Sequence, residues 1–169
     1  MGDRQEHGSV PVEGRTIVKQ VSELEIAVTR VFDAPARIVF EAWTKPELFM
    51  RWWAPKSMGM VLRSCEMDVR TGGTYRLEFG QDAENTWAFY GKYLEVVPPT
   101  RLVWTNEENE NDAISTVTLV ENGGKTLLTF REVYPSKEAL AEGQGGLDGT
   151  PEQFEQLDDL LATLAAGRA

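Results

Sequence analysis

Thr150-Pro151-Glu152-Gln153-Phe154-Glu155-Gln156-Leu157-Asp158-Asp159-Leu160-Leu161-Ala162-Thr163-Leu164 is the stretch on which the fold turns. Phe154, Leu157, Leu160, Leu161 and Leu164 recur at helical spacing and make one apolar stripe. Thr150 is placed to cap the first turn. Pro151 suits the first helical position, and Gln153 stands where a capping box has its second member. Glu152, Glu155 and Asp158 bring negative charge to the N-terminal half, as the helix dipole favours. Gly167 marks a stop. Such a helix spans roughly 22 Å and is too short to persist alone in water, so its stripe must be buried against something. Most of the preceding chain reads as strand. The expected arrangement is one strongly curved sheet closed around this helix, enclosing a cavity where function should be sought.

Upstream, residues 16–32 read as one strand in which Leu24, Ile26 and Val28 alternate with polar neighbours. Asp33 is in capping reach of a helix that starts at Pro35 and ends at Lys45, because Pro46 disfavours helical geometry in the residue before it. A second short helix is expected over about 46–52. Strands are then expected over 61–69, 74–80, 86–97, 101–106, 113–120 and 125–133. Gly91 inside a strand predicts a bulge or sharp bend. Asn122-Gly123-Gly124 predicts a hairpin. Glu107 to Asp112 reads as an acidic loop. Ser136 caps a short helix over 137–142, and the glycines from Gly143 to Gly149 read as a mobile hinge. The class is α+β: one antiparallel sheet of about seven strands around a long C-terminal helix, with two short helices after the first strand. Residues 1–15 read as a disordered tail and 16–166 as a single domain.

Composition narrows the function. The chain has 169 residues with 17 Lys plus Arg against 27 Asp plus Glu, a net charge of −10. That balance, with no basic run, speaks against nucleic acid and anionic membranes as partners. The one cysteine, Cys65, permits no intramolecular disulfide and fits a reducing cytoplasm. No apolar run reaches transmembrane length, and residues 1–20 lack a signal-peptide core. The only histidine, His7, lies in the tail, which removes Ser-His and Cys-His catalysis and a Cys/His zinc site. No phosphate-binding or dinucleotide fingerprint occurs. We therefore assign no catalytic residue, metal or cofactor and expect a binding protein rather than an enzyme. Among carboxylates, Glu66 and Asp68 alternate outward. Glu95 and Glu132 share the parity of apolar neighbours and are the candidates for an interior acid.

The aromatics exceed what turns and surface would take. Trp43, Trp52, Phe79, Trp87, Phe89, Trp104 and Phe130, with Phe154, Leu157 and Leu161 of the helix, are the expected lining of the cavity. Arg63, Thr116 and Thr118 fall in the inward parity and are its candidate polar groups. Cys65 alternates with Met67 and should point inward as an inert thiol. In Trp52-Trp53-Ala54-Pro55-Lys56 one tryptophan should be core. The other either closes the pocket or offers a partner surface.

Several motifs then fall in a familiar order. They are Arg30-Val31-Phe32-Asp33-Ala34-Pro35, Val39-Phe40-Glu41-Ala42-Trp43-Thr44 with Pro46, and Trp52-Trp53-Ala54-Pro55-Lys56. After these stand Asp68 with Gly72-Gly73, Gly91-Lys92-Tyr93-Leu94-Glu95, Arg101-Leu102-Val103-Trp104-Thr105 and Leu157-Asp158-Asp159-Leu160-Leu161. In this order they resemble the START-like helix-grip (SRPBCC) superfamily, and most closely its branch related to the C-terminal domain of the heat-shock-protein-90 ATPase activator. The resemblance implies a helix-grip fold and a hydrophobic, apolar or aromatic small molecule as ligand. It carries two alternatives, a cyclase- or hydrolase-like enzyme using the same pocket and a chaperone partner in stress response. A monomer or homodimer fits either. The chain departs from the family where many members carry Gly-Trp before the last helix; here Gly149 precedes Thr150.

Overall fold

Strand β1 (Ile17–Gln20) and strand β2 (Glu25–Phe32) open the fold. They are followed by helix α1 (Ala36–Thr44) and the single turn α2 (Pro46–Phe49). Strands β3 (Val61–Met67), β4 (Thr74–Asp82), β5 (Asn85–Val97), β6 (Arg101–Thr105), β7 (Ile114–Asn122) and β8 (Lys125–Val133) come next. Helices α3 (Lys137–Gln144) and α4 (Thr150–Arg168) complete the order. The computed structural model describes residues 14–59, 61–82, 84–107, 113–144 and 147–168. Residues 1–13 of the expected tail, His7 among them, lie outside these, as do residues 108–112 of the acidic loop. Among the described residues eight strands form one antiparallel sheet in the order β1-β2-β8-β7-β6-β5-β4-β3.

The count is eight rather than about seven because residues 16–32 are two strands. The N–H groups of Val21 and Ser22 both donate to the Glu25 carbonyl (2.9 and 3.3 Å), which turns the chain. Leu24 is exposed at this turn instead of joining the core, and Ile26, Val28, Arg30 and Phe32 take the inward positions. At the β7–β8 hairpin, Gly123 and Gly124 have φ of 63° and 82°. Asn122 pairs with Lys125 across them, the two-residue turn whose twist matches the flanking strands.

Helix ends are satisfied by distant groups as well as by local ones. The Ala36 N–H donates to the Glu121 carboxylate (2.9 Å), while Asp33, expected as the cap, pairs with Lys125 (3.2 Å). Ser136 does cap α3: its hydroxyl oxygen accepts the Ala139 N–H (3.0 Å). Thr150 is the first residue of α4 rather than its cap, and is buried. The helix also runs past Gly167 to Arg168, since one glycine lowers helix propensity without ending a helix.

The core lies between one face of the sheet and helices α1 and α4. Val28, Phe32, Val117 and Leu128 from the sheet, Val39 and Trp43 from α1, and Phe154, Leu157, Leu160 and Leu161 from α4 form one buried cluster. Each such side chain contributes about 1.5–3 kcal/mol by leaving water. Arg30, only 4% exposed, crosses from β2 to donate to Asp158 of α4 (3.0 Å) and to the Thr16 hydroxyl (2.8 Å). Sheet and helix are thus tied by charge as well as by packing.

Candidate functional site

The site is built where the N-terminal turns of α4 meet the stretch after α2. Pro55 cannot extend a helix, so the backbone from Trp52 to Ser57 needs partners outside its own segment. Helix α4 supplies them. Gln156 donates from Nε2 to the carbonyls of Trp52 (2.9 Å) and Ala54 (3.0 Å) and accepts the Lys56 N–H at Oε1 (2.9 Å). Gln153 donates to the Trp53 carbonyl instead of reaching back to its own helix end, where the capping-box reading put it. Glu152 accepts the Ser57 N–H (2.9 Å) and the Ser57 hydroxyl, and these two bonds hold its carboxyl below the usual range. Residues 52–58 therefore form a strap latched to the helix.

Beneath the strap lies a cavity of about 450 Å³. Its aromatic wall comes from Trp53, Phe79, Trp87, Phe89, Trp104 and Phe130, and the strap adds Pro55 and Met58. Helices α3 and α4 contribute Ala139, Gly143, Thr150 and Gln153. A recess of about 50 Å³ adjoins it and shares Trp53, Phe89, Trp104 and Asn106. Trp43 and Tyr75 line that recess. Trp43 is the junction between site and core. Its ring meets Trp52 edge-on at 4.8 Å, Trp104 at 5.9 Å and Phe130 at 6.3 Å. Its buried indole N–H has no partner among the described residues.

One polar group stands out against this wall. Glu132 follows Phe130, Leu128 and Thr126 in the inward parity of β8 and lines the cavity. Its carboxylate accepts from the Ser115 hydroxyl (2.6 Å) and from the Tyr134 phenol (2.8 Å). Asn106 in turn donates to the Ser115 oxygen (2.9 Å) and to the Ala113 carbonyl (2.8 Å). Burial, then the Glu132 charge, push the Tyr134 phenol well above its ordinary range, so it remains a donor. Gly143 makes room for it: a Cβ there would lie 2.4 Å from the Tyr134 ring.

The expected lining separates into three groups. Phe79, Trp87, Phe89, Trp104 and Phe130 border the larger cavity, and Trp43 the recess. Trp52, Phe154, Leu157 and Leu161 do not; they are solid core, at most 1% exposed. Trp52 donates its indole N–H to the Ala42 carbonyl (2.9 Å), and Trp53 stacks on Phe49 at 4.7 Å. Of the double tryptophan, Trp52 is therefore core, and Trp53, half-buried, lines both the cavity and the recess.

Arg63, Thr116 and Thr118 form the third group, together with Glu95, and parity misplaces all of them. A register shift between Leu62 and Ser64 puts Leu62, Cys65 and Met67 opposite the buried Phe79, Leu77 and Tyr75, and leaves Arg63 exposed. A second shift between Tyr93 and Glu95 turns Glu95 outward, where it pairs with Arg101 (3.0 Å). On β7 the buried set is Ser115, Val117 and Leu119, so Thr116 and Thr118 face the other side. Cys65 packs half-buried against the core without lining either cavity, and burial pushes its thiol up to about 11. Glu66 and Asp68 are both exposed, as their alternation predicts.

Residues 145 and 146 of the expected hinge lie outside the described residues; Gly143 belongs to α3 and Gly149 is buried. Gly91 allows close approach instead of making a bulge. A Cβ there would lie 2.2 Å from the Thr105 carbonyl oxygen, and the register shift falls further along the strand, between Tyr93 and Glu95. Asn106, Ser115 and Tyr134 escape a reading of the sequence. Their common signal is position, each one strand step from an aromatic or acid already singled out. Among the described residues no cluster of His, Cys, Asp and Glu has the makings of a metal site, and no helix is long and apolar enough to cross a membrane.

A family model described as activator of Hsp90 ATPase homolog 1-like protein matches residues 33–163. Solved structures share the fold. A protein from Rhodobacter sphaeroides superposes with a TM-score of 0.80 at 23% identity, covering 89% of this chain and 99% of its own. One from Nitrosomonas europaea gives 0.75 at 25% identity, covering 87% and 99%. An AHSA1-like protein from Aeromonas hydrophila gives 0.68 at 19% identity, covering 84% and 94%. No curated protein matches the chain.

Proposed function

This chain belongs to the activator of Hsp90 ATPase homolog 1-like family, and from that premise we propose that it binds an apolar or aromatic small molecule in the cavity under the strap. The observation that supports the reading is the aromatic-walled space of about 450 Å³ between the sheet and the start of α4. Its size falls in the range of small-molecule sites, and an apolar wall with few polar groups is their usual composition. Phe79, Trp87, Phe89, Trp104 and Phe130 make the contact surface in this proposal, with Trp43 at the inner end. The family's description refers to the Hsp90 ATPase. A chaperone partner for this chain would rest on that description alone, since Trp52 is core and the half-buried Trp53 stacks on Phe49 and lines the cavity.

The test is a titration with N-phenyl-1-naphthylamine, an uncharged hydrophobic fluorophore. Saturable enhancement with one site per chain is expected, together with a rise in Tm, because binding to the folded state alone stabilises by about 2.7 kcal/mol at about a hundred times Kd. Ala113 borders the cavity and is buried, so Ala113→Phe should fill it and abolish the enhancement while the protein still melts cooperatively. Absence of saturable binding, or binding that Ala113→Phe leaves unchanged, sinks the reading.

A further inference from the structure

We propose that the cavity selects a cationic ligand, an organic amine or ammonium group on an aromatic or aliphatic body, and that Glu132 is its counter-charge. This rests on the small-molecule reading and names the chemistry of the molecule bound.

Three observations converge on it. Glu132 lines the cavity, and its two oxygens are fixed in place by Ser115 (2.6 Å) and Tyr134 (2.8 Å). These bonds hold the carboxylate in one orientation on the lining. No lysine, arginine or histidine is found among the described residues that line either cavity. An anionic ligand would therefore meet two carboxylates, Glu132 and Glu142, and no cationic side chain on that lining, at a heavy desolvation penalty. Ring faces from Trp53, Trp87, Phe89, Trp104 and Phe130 make up much of the rest of the lining, and the charged side chain it holds besides Glu132 is another carboxylate, the exposed Glu142 of α3. Such faces attract ammonium groups by cation–π interaction and more so where water is excluded. The charge of the whole chain, −10, favours the approach of cations in the same sense. A carboxylate held at the edge of an aromatic wall is an arrangement that recognises an alkylammonium head beside an apolar body.

Three probes of one size separate the outcomes: 1-naphthylmethylamine (cation), 1-naphthalenemethanol (neutral) and 1-naphthoate (anion). Their affinities are measured by calorimetry at about pH 7 on the full chain and on Glu132→Gln. The expected ranking is amine over alcohol by about tenfold or more, as a charge-assisted hydrogen bond provides, with the anion weakest. In Glu132→Gln the amine should fall to the level of the alcohol, whose own affinity should hold and so report that the cavity is intact. Tyr134→Phe, which keeps the carboxylate, should retain the preference for the amine. Equal binding of amine and alcohol by the native chain, tightest binding of the anion, or a preference that survives Glu132→Gln would each overturn the assignment while leaving small-molecule binding in place. If none of the three binds, the assignment falls together with the binding reading. The ranking on the native chain decides even if Glu132→Gln does not fold.

Discussion

The two ends of helix α4 sit over different kinds of sheet. Toward its middle and C-terminal half, Leu157, Leu160 and Leu161 are buried in one cluster with Val28, Phe32, Val117 and Leu128, and little space remains. At its start, Thr150 and Gln153 border a cavity whose far wall is Phe79, Trp87 and Phe89 of β4 and β5. Trp87 and Phe89 are 43% and 37% exposed. The difference lies in the material that opposes the sheet. Over β2, β7 and β8 a helix presents aliphatic side chains. Over β4 and β5 the opposing wall is a strap of backbone held by polar side chains, which cannot fill a bent sheet. A closed core and an open site can thus share one sheet and one helix.

The largest expected effect tests the closed half. Leu157 is fully buried, and Leu157→Ala should destabilise by about 2–5 kcal/mol in denaturant melts. Phe89→Ala, on the open half, should cost under about 1 kcal/mol, because its side chain already meets solvent. If the two changes cost the same, the cavity is packed more tightly than the distinction allows.

The next effect tests the latch. Gln156→Ala removes three hydrogen bonds to the strap and should lower stability by about 1–3 kcal/mol. It should also speed hydrogen exchange across residues 53–58 while leaving β2 and β8 protected. Exchange that rises equally in the strap and in β8 would mean that the latch is part of the core.

The contrast between the halves also marks where the sequence could be read. Alternation located the closed half: Ile26 and Val28, though not Leu24, and the stripe of α4 face the core. It located Phe79, Trp87, Phe89, Trp104 and Phe130 on one side as well. It failed at the polar candidates because a period of two carries no memory of an inserted residue. One extra residue at Arg63 and one at Leu94 reverse the face of every later position on their strands, and on β7 the parity choice itself fell on Thr116 rather than Ser115. Glu132 was legible because β8 has no shift. The latch was not: Gln153 and Gln156 contact backbone about a hundred positions earlier, and no local pattern announces such a pairing.

A smaller effect concerns Cys65, which belongs to the open half but does not line the cavity. Burial raises its thiol to about 11, above the value near 8.5 of an exposed cysteine. The folded chain therefore keeps this proton longer than the unfolded one. Its contribution to stability is complete below about pH 8.5 and is lost as pH rises through the window up to about 11. Alkylation by iodoacetamide at about pH 8 should be at least about tenfold slower in the native protein than in denaturant, since the thiolate is the nucleophile. Equal rates would place Cys65 in contact with solvent through the cavity.

The smallest effect is at the outer edge of the latch, where Ser57 meets Glu152. Two hydrogen bonds from Ser57, the first from its hydroxyl and the second from its N–H, hold the Glu152 carboxyl below the ordinary range. The folded value is thus depressed relative to the unfolded one. The stability this contact contributes is present above the unfolded pKa, near 4.3, and is lost as pH falls through the lower, folded value. Global melts would bury this in the titration of 27 acidic residues, so the readout must be local. The Ser57 amide proton should shift upfield as the carboxylate is protonated, with a midpoint below the ordinary glutamate value of about 4.3. Glu152→Gln should remove the titration without changing the midpoint of thermal unfolding by more than a degree or two, because an exposed contact of this kind contributes little. A Ser57 midpoint at the ordinary glutamate value would mean that the strap is held by Gln153 and Gln156 alone. The open half of the molecule would then be closed only at the tryptophan end, and Met58 would be free to swing from the mouth of the cavity.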